Sequence, residues 1–181
     1  MLQIKVSVVP EQYDEANNLF IDPIYQVLKL EHSLVSISKW ESKWHKSFLH
    51  TTNKTDEEVL DYIKCMTLSQ NIDPDVYNHL TIDNIRDINK YINDPMTATI
   101  LPDDKSGKRS REIVTSELIY YWMIAYNIPV EFQKWHIERL MTLVRICSIK
   151  NEPPKKRSRS DIMKRNAALN EARRKQLNSK G

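Results

Sequence analysis

The chain has 181 residues, of which 40% are hydrophobic and 28% charged, values typical of one globular domain with a short appendage. It contains only two glycines, Gly107 and Gly181, where average usage predicts ~13. Because phosphate-binding loops and nucleophile elbows need glycine for close backbone approach or positive φ, this composition excludes GxGxxG, Walker A and GxSxG motifs.

The net charge of +3 is divided unevenly along the chain. Residues 155–181 hold ten Lys or Arg against two acids (+8), whereas residues 1–154 hold seventeen against twenty-two (−5). Residues 55–104 alone carry eleven Asp or Glu and three Lys or Arg (−8). A basic C-terminal arm beside an acidic block indicates binding to another macromolecule or to a second copy of the chain.

The N-terminal part predicts short strands followed by a helix. Residues 1–10 alternate apolar and polar side chains, which predicts a half-buried strand that ends at Pro10. Residues 27–30 and 34–37 predict two further short strands. The alternating segment has no continuous apolar region, so we expect no signal peptide.

Residues 39–49 predict a helix that places Trp40, Trp44 and Phe48 on one face at i, i+4 and i+8. We favour a face that seals the core. The alternative is an exposed aromatic anchor for a protein partner, since Trp is enriched among binding hot spots. Three interleaved lysines also resemble a nucleic-acid surface, but they are too few to decide.

Two capping signals predict helices in the acidic block. Thr55-Asp-Glu-Glu58 predicts a helix to about Met66 that buries Val59, Leu60, Ile63 and Cys65. Thr81 predicts a second helix that ends at Ile92, before Asp94-Pro95. Residues 96–101 are a strand or connector, and residues 102–108 are a polar loop.

Residues 110–127 and 130–149 predict an antiparallel helical hairpin at the centre of the core, with Pro129 between its helices. Ser110 is the expected cap of the first helix. Its expected buried face consists of Leu118, Tyr121, Trp122 and Ala125. The expected buried stripe of the second helix consists of Phe132, Trp135, Leu140, Leu143, Val144 and Cys147.

Glu152-Pro153-Pro154 predicts a boundary between a globular α+β, mainly α domain (1–152) and a basic C-terminal arm (153–181). Ser158-Arg-Ser-Asp161 fits a capping box, and residues 159–177 favour a helix about 28 Å long. Its apolar stripe is thin, consisting of Ile162, Leu169 and Ala172. We therefore expect the arm to order mainly on a partner.

No catalytic, metal or cofactor site is predicted. The five histidines form no HxxxH pair and have no cysteine at zinc spacing, and the possible nucleophiles have no local catalytic context. Cys65 and Cys147 lack CxxC spacing, so we expect reduced, buried thiols. The sequence therefore predicts a non-enzymatic protein.

The arm has four interpretations. It binds phosphates of nucleic acid or, in a nucleated cell, serves as an import signal; it docks as a helix on a protein surface; it pairs with the acidic block (55–104) of a neighbouring copy; or it is a solvated tail. Residues 152–181 contain no Phe, Tyr or Trp on which bases could stack, which weakens the nucleic-acid interpretation. The candidate partner-binding residues are Trp40, Trp44, Phe48, Ile162, Arg165, Leu169, Ala172, Arg173, Arg174 and Lys175.

Several local segments resemble the tail assembly chaperones of tailed bacteriophages. The segments are Ser36-Ile-Ser-Lys-Trp-Glu-Ser-Lys-Trp44, Ser110-Arg-Glu-Ile-Val, Ile119-Tyr-Tyr-Trp-Met123, Gln133-Lys-Trp-His136, Arg145-Ile-Cys147, Arg165-Asn-Ala-Ala-Leu-Asn170 and Ala172-Arg-Arg-Lys-Gln-Leu-Asn178. The resemblance begins near residue 25 and includes no catalytic motif.

The resemblance implies a phage morphogenesis protein in the host cytoplasm, which coats the aggregation-prone tape-measure protein and self-associates. It also implies that a longer, frameshifted form is often made. Two alternatives remain open, a structural virion protein at the head–tail junction or tail and a nucleic-acid-binding accessory protein.

Overall fold

The computed structural model describes residues 1–9, 12–14, 19–101, 112–151 and 159–178. The chain there is mainly helical with short antiparallel strands near its N-terminus, which confirms the predicted α+β, mainly α class. The strands are β1 (Leu2–Val9), β2 (Gln12–Asp14), β3 (Leu19–Ile21) and β4 (Ile24–Leu30). The α-helices are α1 (Leu34–Trp44), α2 (Asp56–Met66), α3 (Ile82–Ile92), α4 (Ser116–Ala125), α5 (Ile137–Asn151) and α6 (Arg159–Leu177), and Pro74–His79 and Val130–Lys134 form 3₁₀ helices.

The predicted first strand is confirmed and pairs with β4. The two strands are antiparallel, with Leu2 opposite Leu30 and Ile4 opposite Leu28. The alternation of side chains buries Ile4 and Val6 on one face. β2 and β3 pair with each other as a separate ribbon. Residue 10, where we expected the first strand to end, lies outside the described residues.

The predicted strand at residues 34–37 is wrong, because these residues form the first turn of α1. Ser33 and Ser36 make a capping box, in which Ser36 N donates to Ser33 Oγ (3.3 Å) and Ser33 N donates to Ser36 Oγ (3.0 Å). α1 ends at Trp44, since His45 takes a left-handed conformation (φ 52°) and its N–H donates to the Glu41 carbonyl. Phe48 therefore lies beyond the helix.

The two helices predicted in the acidic block are confirmed within one residue at each end. Thr55 and Thr81 are their N-caps, and each forms a capping box with the residue three positions later. α2 buries Tyr62, Ile63 and Met66, while Val59, Leu60 and Cys65 are half-buried against the core. Residues 96–101 are a connector without regular structure, and the predicted loop at 102–108 lies outside the described ranges.

The helices predicted at 110–127 and 130–149 are present in shortened form. Thr115, not Ser110, caps α4, and position 110 itself is not described. After Pro129 the chain makes the 3₁₀ helix before α5 begins at Ile137, whose N–H donates to the His32 carbonyl (2.8 Å). α4 and this 3₁₀ helix pack against α1, which also contacts α2. α1 thus occupies the central position that we expected for the hairpin.

The buried face of α4 also differs from the prediction. Ile119 and Met123 are buried, whereas Tyr121 and Ala125 are exposed and Trp122 is half-buried. The stripe predicted for residues 132–147 is buried only at Leu140 and Val144, and its other members are half-buried. Both cysteines are free, as predicted, but half-buried rather than buried.

The chain divides into two compact units, Met1–Ser148 and Ile149–Gly181. The first contains the core and the sheet. The second contains α6, which confirms the helix predicted at 159–177. The predicted Pro-Pro linker and the cap at Ser158 lie outside the described residues, so the boundary at 152/153 stays a prediction.

Candidate protein-binding surfaces

α6 is 19 residues long, and its side chains at 159–160 and 162–177 are exposed. The seven candidate residues of the arm all lie on it and are exposed, including Ile162 and Leu169. The helix carries six Lys or Arg against two acids, a net +4, and Lys175 pairs with Glu171 one turn earlier (2.9 Å). Burial of so thin an apolar stripe would stabilise the helix little, so contacts with a partner must depend mainly on its basic side chains. α6 is therefore suited to an acidic partner.

The three aromatic candidates near α1 lie in or against the core. Trp40 is fully buried and its indole N–H donates to the Glu58 carbonyl (2.9 Å). Phe48 is buried and stacks on Tyr62, with ring centroids 3.9 Å apart. Trp44 is half-buried and donates to Asp61 Oδ2 (2.9 Å). The favoured interpretation, a face that seals the core, fits this placement, since Trp40 has no exposed surface for a protein partner and Phe48 has very little.

A second exposed surface, which the sequence did not predict, lies on α4. Eight of its ten residues are apolar or aromatic, so the helix is apolar around its whole circumference. Only one side packs on α1, and the opposite side exposes Tyr121 (63%), Ile124 (76%) and Ala125. Tyr121 lies three and four residues before the other two, so these side chains form one patch, the outer face of α4. Helices that are apolar all round are normally covered on every side, which indicates a partner at this face.

The acidic block does not present all its charge at the surface. Glu58 is buried and pairs with Lys46 (2.6 Å), and Asp61 pairs with Lys43. Because both lysines lie outside residues 55–104, these pairs reduce the block's charge of −8 to −6. The acids that stay exposed include Asp56, Glu57, Asp73, Asp83, Asp87 and Asp94. The self-association interpretation of the arm therefore has a weaker target than the sequence alone predicts.

Two buried histidines lie where β4 leads into α1 and where the chain enters α5. His32 Nδ1 hydrogen-bonds the Tyr62 hydroxyl, and its ring lies edge-on to that of His136, with centroids 5.0 Å apart. His136 Nε2 donates to the Tyr91 carbonyl (3.0 Å), whereas Nδ1 has no partner among the described residues. Burial, and secondarily the charge effects of His136 and Lys54, lowers the pKa of His32 to about 3. His32 is therefore a neutral part of the core at physiological pH.

A buried carboxylate links α1 to α4. Glu41 accepts from Phe48 N (2.8 Å) through one oxygen and from Ser116 N (2.7 Å), in the first turn of α4, through the other. The negative charge lies at the positive end of the helix macrodipole. Glu41 therefore links the start of α4 to α1.

Among the described residues, no three His, Cys, Asp or Glu side chains are grouped so that they could hold a metal ion. Within the same part of the chain, no helix is long and apolar enough to cross a membrane. Comparison with protein-family models, with curated proteins and with solved structures finds no match.

Proposed function

We propose that this chain is a non-enzymatic tail assembly chaperone of a tailed bacteriophage, which binds the tape-measure protein in the host cytoplasm. The family assignment is based on the sequence resemblance. The observation that supports it best is the outer face of α4, since an exposed apolar helix face is suited to apolar stripes on another helix. α6 supplies an additional, basic surface for contacts between copies.

The experiment that tests this function is co-expression with the tape-measure protein of the same phage. We expect the two to co-purify and the chain to raise the soluble fraction of the tape measure. Ile124→Asp places a charge on the outer face of α4 and should weaken the complex at least about tenfold, because burying an unpaired carboxylate is unfavourable.

The matched control is Ile100→Asp, the same change at a side chain that is 95% exposed and lies outside α4. It should leave the complex unchanged. If neither association nor improved solubility is observed with the unmodified chain, the chaperone proposal is wrong. If the chain is instead abundant in purified virions, the structural alternative replaces it.

The arm is proposed to join copies of the chain through the exposed acids of residues 55–104. Sedimentation velocity at low salt should show oligomers that dissociate as the ionic strength rises to about 0.5 M, because exposed charges are then screened within a few Å. The combined changes Arg173→Glu, Arg174→Glu and Lys175→Glu should abolish association at low salt as well.

Three exposed lysines outside the arm provide the control for total charge, as Lys5→Glu, Lys29→Glu and Lys134→Glu. This variant should keep the oligomer. Equal loss in both variants would show that only net charge matters, and the arm would have no specific role. Tight, salt-sensitive binding of duplex DNA by α6 in the same buffers would favour the nucleic-acid alternative.

A further inference from the structure

A cavity of about 460 Å³ opens between the segment that follows α1 and the helices α2, α3 and α5. Phe48, Val59 and Ile92 supply apolar walls, and Thr52, Lys54 and Glu138 supply polar groups. This volume is within the usual range for small-molecule sites, which combine apolar walls with a few polar groups. Neither the outer face of α4 nor α6 contributes to it.

The unusual group in this cavity is the ammonium of Lys54. It donates to the backbone carbonyls of Phe48 (2.9 Å) and Thr51 (2.5 Å) and lies over the Phe48 ring, 4.2 Å from its centroid. Among the described residues, no carboxylate lies within ion-pair distance of it. Two of its three N–H groups are thus used, and a partly buried cation has no counter-ion.

Nearby acids do not fill that role. The Glu58 carboxylate is held by Lys46 (2.6 Å) and by Thr55 N (2.8 Å), and it acts on Lys54 only through space. Burial lowers the pKa of the Lys54 ammonium, and the charge of Glu58 partly opposes this effect. An anion bound in the cavity would relieve the same cost of desolvation.

The remaining charges limit which anion fits. His32 also lines the cavity but is neutral at physiological pH, since its pKa is about 3. Lys54 is therefore the only charged donor among the lining residues. The Glu138 carboxylate lines the same cavity and repels an anion bound there. One cation near two carboxylates disfavours a dianion such as phosphate, and the apolar walls favour a ligand with an apolar body.

We propose that this cavity binds an apolar monocarboxylate, whose carboxylate contacts Lys54 and Thr52 and whose hydrocarbon part contacts Phe48, Val59 and Ile92. This site is separate from the proposed assembly surfaces. Its presence does not depend on whether the chain is a tail assembly chaperone.

The test is a titration with hexanoate, followed by ¹H–¹⁵N NMR spectra. We expect saturable shifts confined to residues near the cavity, and at least about tenfold weaker binding of hexanamide, which has the same body without the charge. Inorganic phosphate should give no saturable shift. Equal affinity for hexanoate and hexanamide, saturable binding of phosphate, or no binding of hexanoate would each overturn the proposal.

Variants separate the cation from general charge effects. Lys54→Met should weaken hexanoate binding about tenfold, whereas Lys39→Met, the same change at an exposed lysine on α1, should leave it unchanged. Thr52→Trp places a large side chain at the exposed edge of the cavity and should abolish binding without entering the core. Binding that survives Thr52→Trp, or that falls equally in both lysine variants, would contradict the assigned site.

Discussion

Replacing Trp40 by alanine is expected to lower the free energy of unfolding by about 3–5 kcal/mol. Trp40 is fully buried in the centre of α1, and its ring lies edge-on to Phe48, with centroids 5.2 Å apart. The change removes the packing of the largest core side chain and leaves the Glu58 carbonyl without the indole donor. Urea denaturation at pH 7, followed by circular dichroism, measures the loss.

Two variants separate the causes of that loss. Trp44→Ala, at the half-buried indole one turn later, should cost about 1–2 kcal/mol, because less apolar area leaves the core. Trp40→Phe keeps an aromatic ring but removes the hydrogen bond, so its cost should fall between those of the two alanine variants. Equal losses for Trp40→Ala and Trp44→Ala would contradict a core centred on α1.

Lowering the pH from 7 to 5 is expected to reduce the stability of the chain by about 2 kcal/mol through His32. In the unfolded chain this imidazole takes up a proton below its ordinary pKa of 6.5, whereas burial in the fold lowers its pKa to about 3. The unfolded state therefore binds more protons over this interval, and stability is lost progressively as the pH falls from 6.5 toward 3.

The acidic side chains do not obscure this effect. The hydrogen bond from Lys46 is the main reason that the folded pKa of Glu58 is lowered. For Asp61, burial raises the pKa, but the hydrogen bonds from Lys43 and Trp44 outweigh this effect, so its folded pKa is also lowered. Their contribution is complete above their ordinary values of 4.5 and 3.8, and it is lost only below them. Denaturant unfolding at pH 7, 6 and 5 therefore measures the histidine effect without a contribution from these two acids, and the His32→Gln variant assigns it to His32.

His32→Gln removes the titrating group, so its stability should change much less between pH 7 and 5 than that of the unmodified chain. His50→Gln, at an exposed histidine, should keep the full pH dependence. If the unmodified chain is equally stable at pH 7 and pH 5, a buried neutral His32 is ruled out, whatever the variants do.

Local signals predicted several elements well because their causes are local. The capping boxes at Thr55 and Thr81 set two helix starts through hydrogen bonds within four residues. The alternation of residues 1–9 predicted β1, and intrinsic propensity predicted α6. None of these features needs information from a distant part of the chain.

Errors arose where distant residues decide the outcome. Val35 and Ile37 favour a strand by propensity, yet the packing of α1 against α2 and α4 stabilises a helix over these residues. On α4 the apolar residues cover the whole circumference, so periodicity could not predict which side is buried. Packing against α1 decides it, and buries Ile119 and Met123.

The candidate sites divide in the same way. The sequence identified the exposed basic residues of α6, because a run of charge with only a thin apolar stripe is typical of a solvated helix. The exposure of Tyr121 and Ile124 was not predicted. The signal that could have indicated it is that α4 is apolar on every side. The position of Lys54 in a cavity was not predicted either. The cavity around Lys54 is assembled from five separate segments, and nothing in the local sequence brings them together.

Composition and neighbours within one helical turn are enough to predict the fold class, the lack of glycine-dependent motifs, the basic arm and the starts of α2, α3 and α6. Contacts in the folded chain place α1 at the centre and bury Trp40 and Phe48. The same contacts neutralise part of the acidic block through Lys43 and Lys46 and leave Tyr121 and Ile124 of α4 exposed. Burial and charge pairing depend on contacts between residues far apart in the chain, which local patterns do not encode.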